Sequence, residues 1–469
     1  MQTFFDRCWH SSDETFEVTN PFDQQIIDTV PSCTVEDIDR AVTGLTGGAK
    51  TMRATPAWRR AEILDKAAVL LKENRNRLAE QLSREEGKPL RESLAEVDRS
   101  ATTLQLSADL AKQIHGEVIP LDATRGGENK LGFTIRIPCG IVAAITPFNF
   151  PLNLVCHKVG PAIAAGNAVL IKPASETPLS ALSLTEILLE AGLPEDSIAC
   201  LTGSGSKLGE AICRDQRIRK ISFTGSPEVG KKICASAGLK RITMELGSNS
   251  PIIILPDADM NKAINSVATN GFANAGQVCI STQRLITLPE THEEIVFRVA
   301  EDIRKITVGD PLAKGTRMGP MVRIEDAKRV EQWIGEAKSS GAKIVCGGER
   351  DSAIHTPTLI DNATAEMKVV QEELFGPAVS VIEAADIDEA IRMANDSRFG
   401  LSAGVFTENI NLAMRFANEI ESGNIHINWG SQWRADGMPY GGLKESGLGK
   451  EGPRYAIEEM TESKMIVIH

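Results

Sequence analysis

Apolar and polar positions follow three rhythms along this chain. Between about Thr55 and His115, the stretch "AWRRAEILDKAAVLLKENRNRLAEQLSREEG" sets apolar residues three and four apart. That is the spacing of helices with one buried face, and Gly87-Lys-Pro interrupts it, so two long helices are expected. The middle of the chain changes rhythm. "GIVAAIT", "NAVLIKP", "SIACLTG", "RKISFTG" and "RITMELG" are short apolar runs, mostly rich in β-branched residues and mostly closed by Gly or Pro. Such runs read as buried strands. Helical patterns over residues 180–191, 206–213 and 227–237 lie between them. Strands alternating with helices imply an α/β fold with a right-handed, parallel, doubly wound sheet. Ligands of such sheets bind beyond the carboxyl ends of the strands, which singles out Asn149, Lys172, Gly203, Gly225, Ser226 and Glu245.

A second α/β block starts near Ser250 with the strand and turn "SPIIILPDAD". Asp257 or Asp259 can cap a helix over residues 260–275, which Gly276 would end. Cys279 then falls in the loop past that helix, before the strand "RLITLP". Two further runs stand apart. "KLGFTIRIP" alternates strictly, and "SKMIVIH" lies at the end of the sequence. An open strand edge invites pairing with another subunit, so a homo-oligomer is expected.

Composition narrows the reading. At 469 residues, two or three domains are expected. A net charge of −12 argues against nucleic acid and anionic membrane as general partners. No apolar stretch has the length of a membrane span, and no basic leader precedes an apolar core, so no signal peptide is expected. The nine cysteines are scattered, odd in number and without a C-x-x-C pair. Neither a metal site nor a disulfide framework is indicated, and a reducing cytoplasm is the expected location.

The candidate chemistry centres on Cys279, in "NGFANAGQVCISTQR". Alone it reads as a small core residue. A nucleophilic role requires a thiolate and therefore a base or an electropositive setting. Glu245, on an apolar strand end, is costly there unless paired or functional, or it is simply a solvated strand-end carboxylate. Asn149 in "TPFNFP" offers an amide N–H to an oxyanion, or is a turn asparagine. Lys172 can meet ribose or phosphate, or reach solvent. Gly225-Ser226 turns strand into helix, and its free N–H groups suit a pyrophosphate.

Together these segments resemble the aldehyde dehydrogenase superfamily over essentially the whole chain. "MELGSNSP" is similar to its glutamate motif and "GQVCIS" to its cysteine motif, in the family's order and 34 positions apart. "TPFNFP", "IKPASETP", "SFTGSPEVG", "QEELFGP" and "MPYGGLKESGLGKEG" match further segments in order. The resemblance implies a Rossmann-type cofactor domain (1–119 and 139–247), an α/β catalytic domain (248–435) and small β oligomerisation strands (120–138 and 455–469), assembled as a homodimer or homotetramer. It implies that Cys279 attacks the aldehyde, that Asn149 and the Cys279 N–H hold the oxyanion, and that Glu245 activates water. Thr146, Pro147, Lys172, Ser175, Gly225, Ser226, Glu373 and Phe375 would hold NAD or NADP. Ser175 departs from the glutamate found there in many NAD-using members, so NADP becomes admissible and the choice stays open.

Three groups bear on the substrate: Arg99, His157 and Arg434. In an acidic chain, their convergence on one tunnel would select a short polar or anionic aldehyde, similar to lactaldehyde, phosphonoacetaldehyde or glyceraldehyde phosphate. The alternative is three separate packing or surface residues. Competing functions are a CoA-acylating dehydrogenase, a catalytically silent cofactor-binding homologue and a redox-sensing thiol protein.

Overall fold

The computed structural model covers residues 1–469. Its larger sheet has five parallel central strands, in the spatial order Ile198–Cys200, Ala168–Lys172, Ile141–Ile145, Ile218–Thr224 and Arg241–Glu245. Each falls on one of the five apolar runs. Alternate residues serve opposite cores: Val142, Ala144, Val169 and Ile171 pack on one face, and Ile141, Ala143, Ile145 and Leu170 on the other. Both faces are buried, which is why the runs are continuously apolar rather than alternating. By chain position the order is third, second, first, fourth, fifth. The winding therefore reverses between Ile141–Ile145 and Ile218–Thr224, the place where a crevice opens at the strands' carboxyl ends. Gly447–Leu448 adds an antiparallel edge strand opposite Met244 and Glu245, bringing the C-terminal segment to the same end.

Three helices, not two, occupy the N-terminal helical stretch: Ala57–Glu73, Arg75–Glu86 and Leu90–Ala111. The expected break at Gly87 is present, with φ +86°. The unexpected one is at Asn74, whose side-chain amide donates to the Leu70 carbonyl at 3.0 Å. Apolar spacing runs unbroken across Asn74, so periodicity alone does not show it.

The second sheet has six parallel strands, ordered Thr358–Asp361, Ala378–Glu383, Arg284–Thr287, Pro251–Ile254, Ser402–Phe406 and Asn424–Ile427, with Lys343–Cys346 antiparallel at one edge. The helix expected over 260–275 stops earlier, as Met260–Asn270. Asp259 caps it, accepting from the Lys262 N–H at 3.1 Å, while Asp257 instead accepts from Thr407, Glu408 and Asn409. Residues 273–276 form a separate turn in which Asn274 and Ala275 are left-handed, at φ 50° and 53°. Asn274 is drawn out of the helix by two carboxylates: its N–H donates to Glu92 at 3.0 Å and its amide to Glu86 at 2.6 Å.

A small antiparallel sheet joins Thr461–Ile468, Leu131–Pro138 and Val118–Ile119. Leu131, Ile135, Met465, Val467 and Ile468 are exposed on it. The segment expected as strand from 455 opens instead with the end of the helix Pro453–Glu459, whose Ala456 and Ile457 pack in the first core; the strand begins at Thr461. No helix is long and apolar enough to cross a membrane.

Candidate active site

A cavity of about 1160 Å³ opens at the carboxyl ends of the first sheet, at its winding reversal. It exceeds the roughly 300–1,000 Å³ usual for a small-molecule pocket. Thr146, Pro147, Lys172, Ser175, Gly225, Ser226, Glu373 and Phe375 all line it, and it reaches Asn149, Glu245 and Cys279. The Thr146 hydroxyl is buried with no partner, a polar atom left for a ligand. Ser226 caps the helix Pro227–Ser236, directing that helix's free N–H end at the cavity. A Cβ on Gly225 would sit 2.5 Å from the tip of the Phe223 ring, so a larger residue here would have to displace that ring. Glu373 accepts from the Ser248 N–H at 2.9 Å, and burial raises its carboxyl to about 7. Phe375 holds a left-handed φ of 48° and meets the Phe148 ring edge-on at 5.9 Å. Lys172 donates to the Pro173 carbonyl at 2.7 Å, and burial lowers its ammonium to about 8. These residues fit a dinucleotide, with a phosphate-binding turn in the middle and stacking and hydroxyl-binding groups beside the thiol.

At the end of the cavity the three expected catalytic residues meet. Cys279 is partly exposed, in the loop after the left-handed turn. Glu245 ends its strand fully buried, with both carboxylate oxygens lacking a hydrogen-bond partner. Burial, then the negative Glu451, raises it to about 8 against the adjoining Cys279 thiol and Lys158. Asn149 donates one amide N–H to the Gln277 carbonyl at 3.0 Å. Burial and the Glu245 carboxylate hold the Cys279 thiol well above its ordinary value.

Beyond Cys279, away from the cavity lining, lies a chain of buried charge. The Tyr440 hydroxyl is 3.3 Å from the Cys279 sulfur, and the Arg434 guanidinium lies 4.0 Å over the Tyr440 ring. Arg434 bonds Glu451 at 3.2 Å and the His157 ring at 3.2 Å. His157 reaches Asp436 at 3.1 Å, and Arg99 closes the chain on Asp436 at 2.7 Å. Lys158 joins Glu451 at 2.5 Å and Thr224 at 2.7 Å. Arg99, His157 and Arg434 are thus brought together, but not as three cations. Burial, then Arg434, lowers His157 to about 4, so it is neutral at pH 7. Sequence reasoning did not single out Tyr440, Lys158, Asp436 or Glu451. Tyr440 and Glu451 stood inside "MPYGGLKESGLGKEG", but nothing in their spacing announced a partner 161 or more positions away.

A second buried network holds the oxyanion segment. Lys88, 1% exposed, donates to Glu96 at 2.6 Å and to the Asn149 carbonyl at 2.7 Å, and lies 4.1 Å from the Phe150 ring centroid. Glu96 in turn accepts from the Leu152 and Asn153 N–H groups.

A doubly wound sheet whose crevice leads past a helix N-terminus to a thiol, an amide and an unpaired carboxyl defines a dinucleotide-dependent oxidoreductase. Residues 9–466 match the model of the aldehyde dehydrogenase family, and the chain belongs to that family. It is an oxidoreductase acting on the aldehyde group with NAD or NADP. It is 47% identical over 461 residues to a 3-sulfolactaldehyde dehydrogenase of Priestia megaterium, covering 98% of this chain and 96% of that one. Among solved structures, it is similar to an aldehyde dehydrogenase from Physcomitrella patens in complex with its reaction product succinate. That match has a TM-score of 0.97 and 36% identity, covering 100% of this chain and 98% of that one. It is also similar to a glyceraldehyde-3-phosphate dehydrogenase from Methanocaldococcus jannaschii complexed with NADP. There the TM-score is 0.94 and the identity 37%, covering 97% and 100%.

Proposed function

We propose that this enzyme oxidises a short aldehyde carrying one negative charge at its far end, with 3-sulfolactaldehyde the first substrate to test. The observation that carries this reading is the charge balance beyond Tyr440. Arg99, Arg434 and Lys158 pair with Asp436 and Glu451, while His157 and, below about pH 8, Glu245 are neutral. One positive charge is left over, and Arg99, with 35% of its side chain exposed, is the member that solvent reaches most. Surplus charge in a partly desolvated setting favours a monoanion. The sulfonate and carboxylate in the names of two of the similar proteins support the same class, and the phosphate of the third supports an anionic far end more broadly.

The residues divide the reaction as follows. Cys279 sulfur adds to the aldehyde carbon, and the free Asn149 amide N–H together with the Cys279 backbone N–H stabilises the resulting oxyanion. A bound nicotinamide supplies the two-electron acceptor, with Thr146, Pro147, Lys172, Ser175, Gly225, Ser226, Glu373 and Phe375 holding the cofactor. The thioester left on Cys279 is hydrolysed by water that gives a proton to Glu245. Glu245 has the low-dielectric, unpaired setting of a base poised near neutrality. The small β-sheet Leu131–Pro138/Thr461–Ile468 supports pairing with a second copy, as dimer or tetramer. Nine free cysteines are consistent with a reducing cytoplasm.

A panel of 3-sulfolactaldehyde, succinate semialdehyde, glyceraldehyde 3-phosphate, lactaldehyde and butanal, run with each cofactor, tests the substrate class. A kcat/KM for butanal above all the anionic aldehydes would sink it. Glu245→Gln is expected to keep a single burst of NAD(P)H, slower than the parent's because the thiol loses its base, and to lower the steady rate by about 100-fold or more. In the parent enzyme the deacylation rate rises with pH through about 8, as Glu245 loses its proton. A steady rate in the variant equal to the parent's, with the same pH profile, would remove Glu245 from the reaction.

The Ser175 position bears on the cofactor. Its hydroxyl donates to the Gly203 carbonyl at 3.0 Å, and the neighbouring Glu176 carboxylate is held by Arg323. The Lys172 ammonium lies 3.8 Å from where a Cβ would stand on Gly205, at the start of the helix Gly205–Arg214. Cation and helix N-terminus together suit a 2′-phosphate. Ser175→Glu is expected to raise the KM for NADP by about tenfold or more and leave that for NAD less changed, through like-charge repulsion. Equal effects on both cofactors would count against a phosphate beside Ser175.

A further inference from the structure

We propose that the Tyr440 hydroxyl is a further catalytic group, donating a hydrogen bond to the Cys279 sulfur once the thiol has lost its proton and so setting how much of the nucleophile is thiolate. The inference rests on Cys279 as the nucleophile and goes beyond it. The hydroxyl lies 3.3 Å from the sulfur and has no other hydrogen-bond partner. Tyr440 is 1% exposed and packs with Val278, Ile280 and Leu401, the first two of which flank the cysteine in sequence. Its backbone is pinned by two bonds to Glu451: its N–H donates to the Glu451 carbonyl at 3.1 Å, and the Glu451 N–H donates back at 2.6 Å. Ring and nucleophile loop therefore hold a fixed relation.

The surroundings of the sulfur explain why such a donor is needed. Burial, Glu245 and, more weakly, Glu373 all disfavour a negative charge on Cys279, and the Tyr440 hydrogen bond is the contribution that favours it. No cation touches the sulfur. The Arg434 guanidinium lies instead over the Tyr440 ring at 4.0 Å, where it polarises the phenol and makes its O–H a better donor. Burial, Cys279 and Glu245 also keep the phenol itself protonated well past neutral pH. Tyr440 thus relays a positive field to the thiolate without carrying charge.

The step balances simply. The thiol proton leaves to a Glu245 oxygen and passes from there to solvent in the cavity before deacylation, the electron pair stays on sulfur, and the Tyr440 proton is shared but not transferred. A hydrogen bond to an ionised acceptor is stronger than one to a neutral acceptor. The contact therefore tightens when the thiolate forms and weakens when the sulfur is acylated.

The test is the pH dependence of iodoacetamide alkylation at Cys279 in the free enzyme, followed on the Cys279 peptide by mass spectrometry. Tyr440→Phe keeps the ring and removes only the hydroxyl. The expected result is an apparent thiol pKa higher by about one unit, with alkylation about tenfold slower at neutral pH and converging on the parent at high pH. An unchanged apparent pKa overturns the proposal, whatever happens to turnover. Should Tyr440→Phe fail to fold, 3-fluorotyrosine incorporation carries the test, because the chain has only two tyrosines, Tyr440 and Tyr455. The more acidic fluorophenol should shift the alkylation pKa downward, and no shift overturns the proposal. A Cys279→Ser enzyme that turns over normally would instead overturn the nucleophile assignment, a separate result from either of these.

Discussion

Cys279→Ser will lower kcat/KM by more than about 1,000-fold while leaving cofactor affinity within about twofold. The size of the loss follows from what surrounds the sulfur. A serine hydroxyl is far less acidic than a thiol, and this site is arranged to accept only a proton that leaves readily. Glu245, itself raised to about 8, is a weak base for an alcohol. The Asn149 amide and the backbone N–H of residue 279 remain, so an oxyanion would still be stabilised if it formed; the missing element is the attacking group. Cofactor affinity survives because Cys279 lines only the far end of the cavity, whereas Lys172, Ser175, Gly225 and Ser226 lie along it. Dye-free fluorescence titration with NADPH and steady-state kinetics on the same preparation separate the two effects. Retention of even a tenth of the parent kcat/KM would move the nucleophile elsewhere.

Much of this arrangement was legible in the chain, for definable reasons. The five strands of the first sheet read clearly because burial on both faces leaves no polar residue to break the run, and their ends pointed directly at Lys172 and Glu245. The turn ahead of Cys279 was not legible. Apolar spacing continues past Asn270, and the left-handed Asn274 and Ala275 are imposed by Glu86 and Glu92, carboxylates from another part of the chain. The same limit applied to His157. Its place beside Arg434 and Arg99 follows from the helix that carries it, but its neutral state is a product of burial. Residues whose role is to complete another residue, such as Tyr440 and Lys158, leave no local pattern, because the partner sits in a distant segment.

Lys88→Met is expected to have the largest effect on stability, lowering the free energy of unfolding by about 3–5 kcal/mol. Lys88 is wholly buried, and its ammonium is the countercharge for Glu96 at 2.6 Å and Glu86 at 3.8 Å. Burial alone would lower its pKa, and Glu86 and Glu96 more than reverse that, so it stays charged. Removing it leaves those carboxylates in a desolvated site without a cation. Glu86 and Glu92 are already raised above 4.5, first by burial, and Lys88 is the leading influence pulling both down. Without it they rise further, so the folded protein retains protons that the unfolded chain has released above about pH 4.5. The unfolded chains titrate alike, so the stability deficit of Lys88→Met should grow only where Glu86 and Glu92 ionise in the folded parent but not in the variant, that is, above the parent's own raised values, and should be flat below them. Glu96→Gln added to Lys88→Met should recover part of the loss. It removes an unpaired charge, and its amide oxygen can still accept from the Leu152 and Asn153 N–H groups. Activity should fall as well, because the Lys88 ammonium also holds the Asn149 carbonyl, and with it the amide that meets the oxyanion. Urea unfolding midpoints from pH 4 to 9 for the parent and both variants decide the matter: a Lys88→Met midpoint equal to the parent's at pH 8 would mean that the buried lysine is not what holds the oxyanion segment in place.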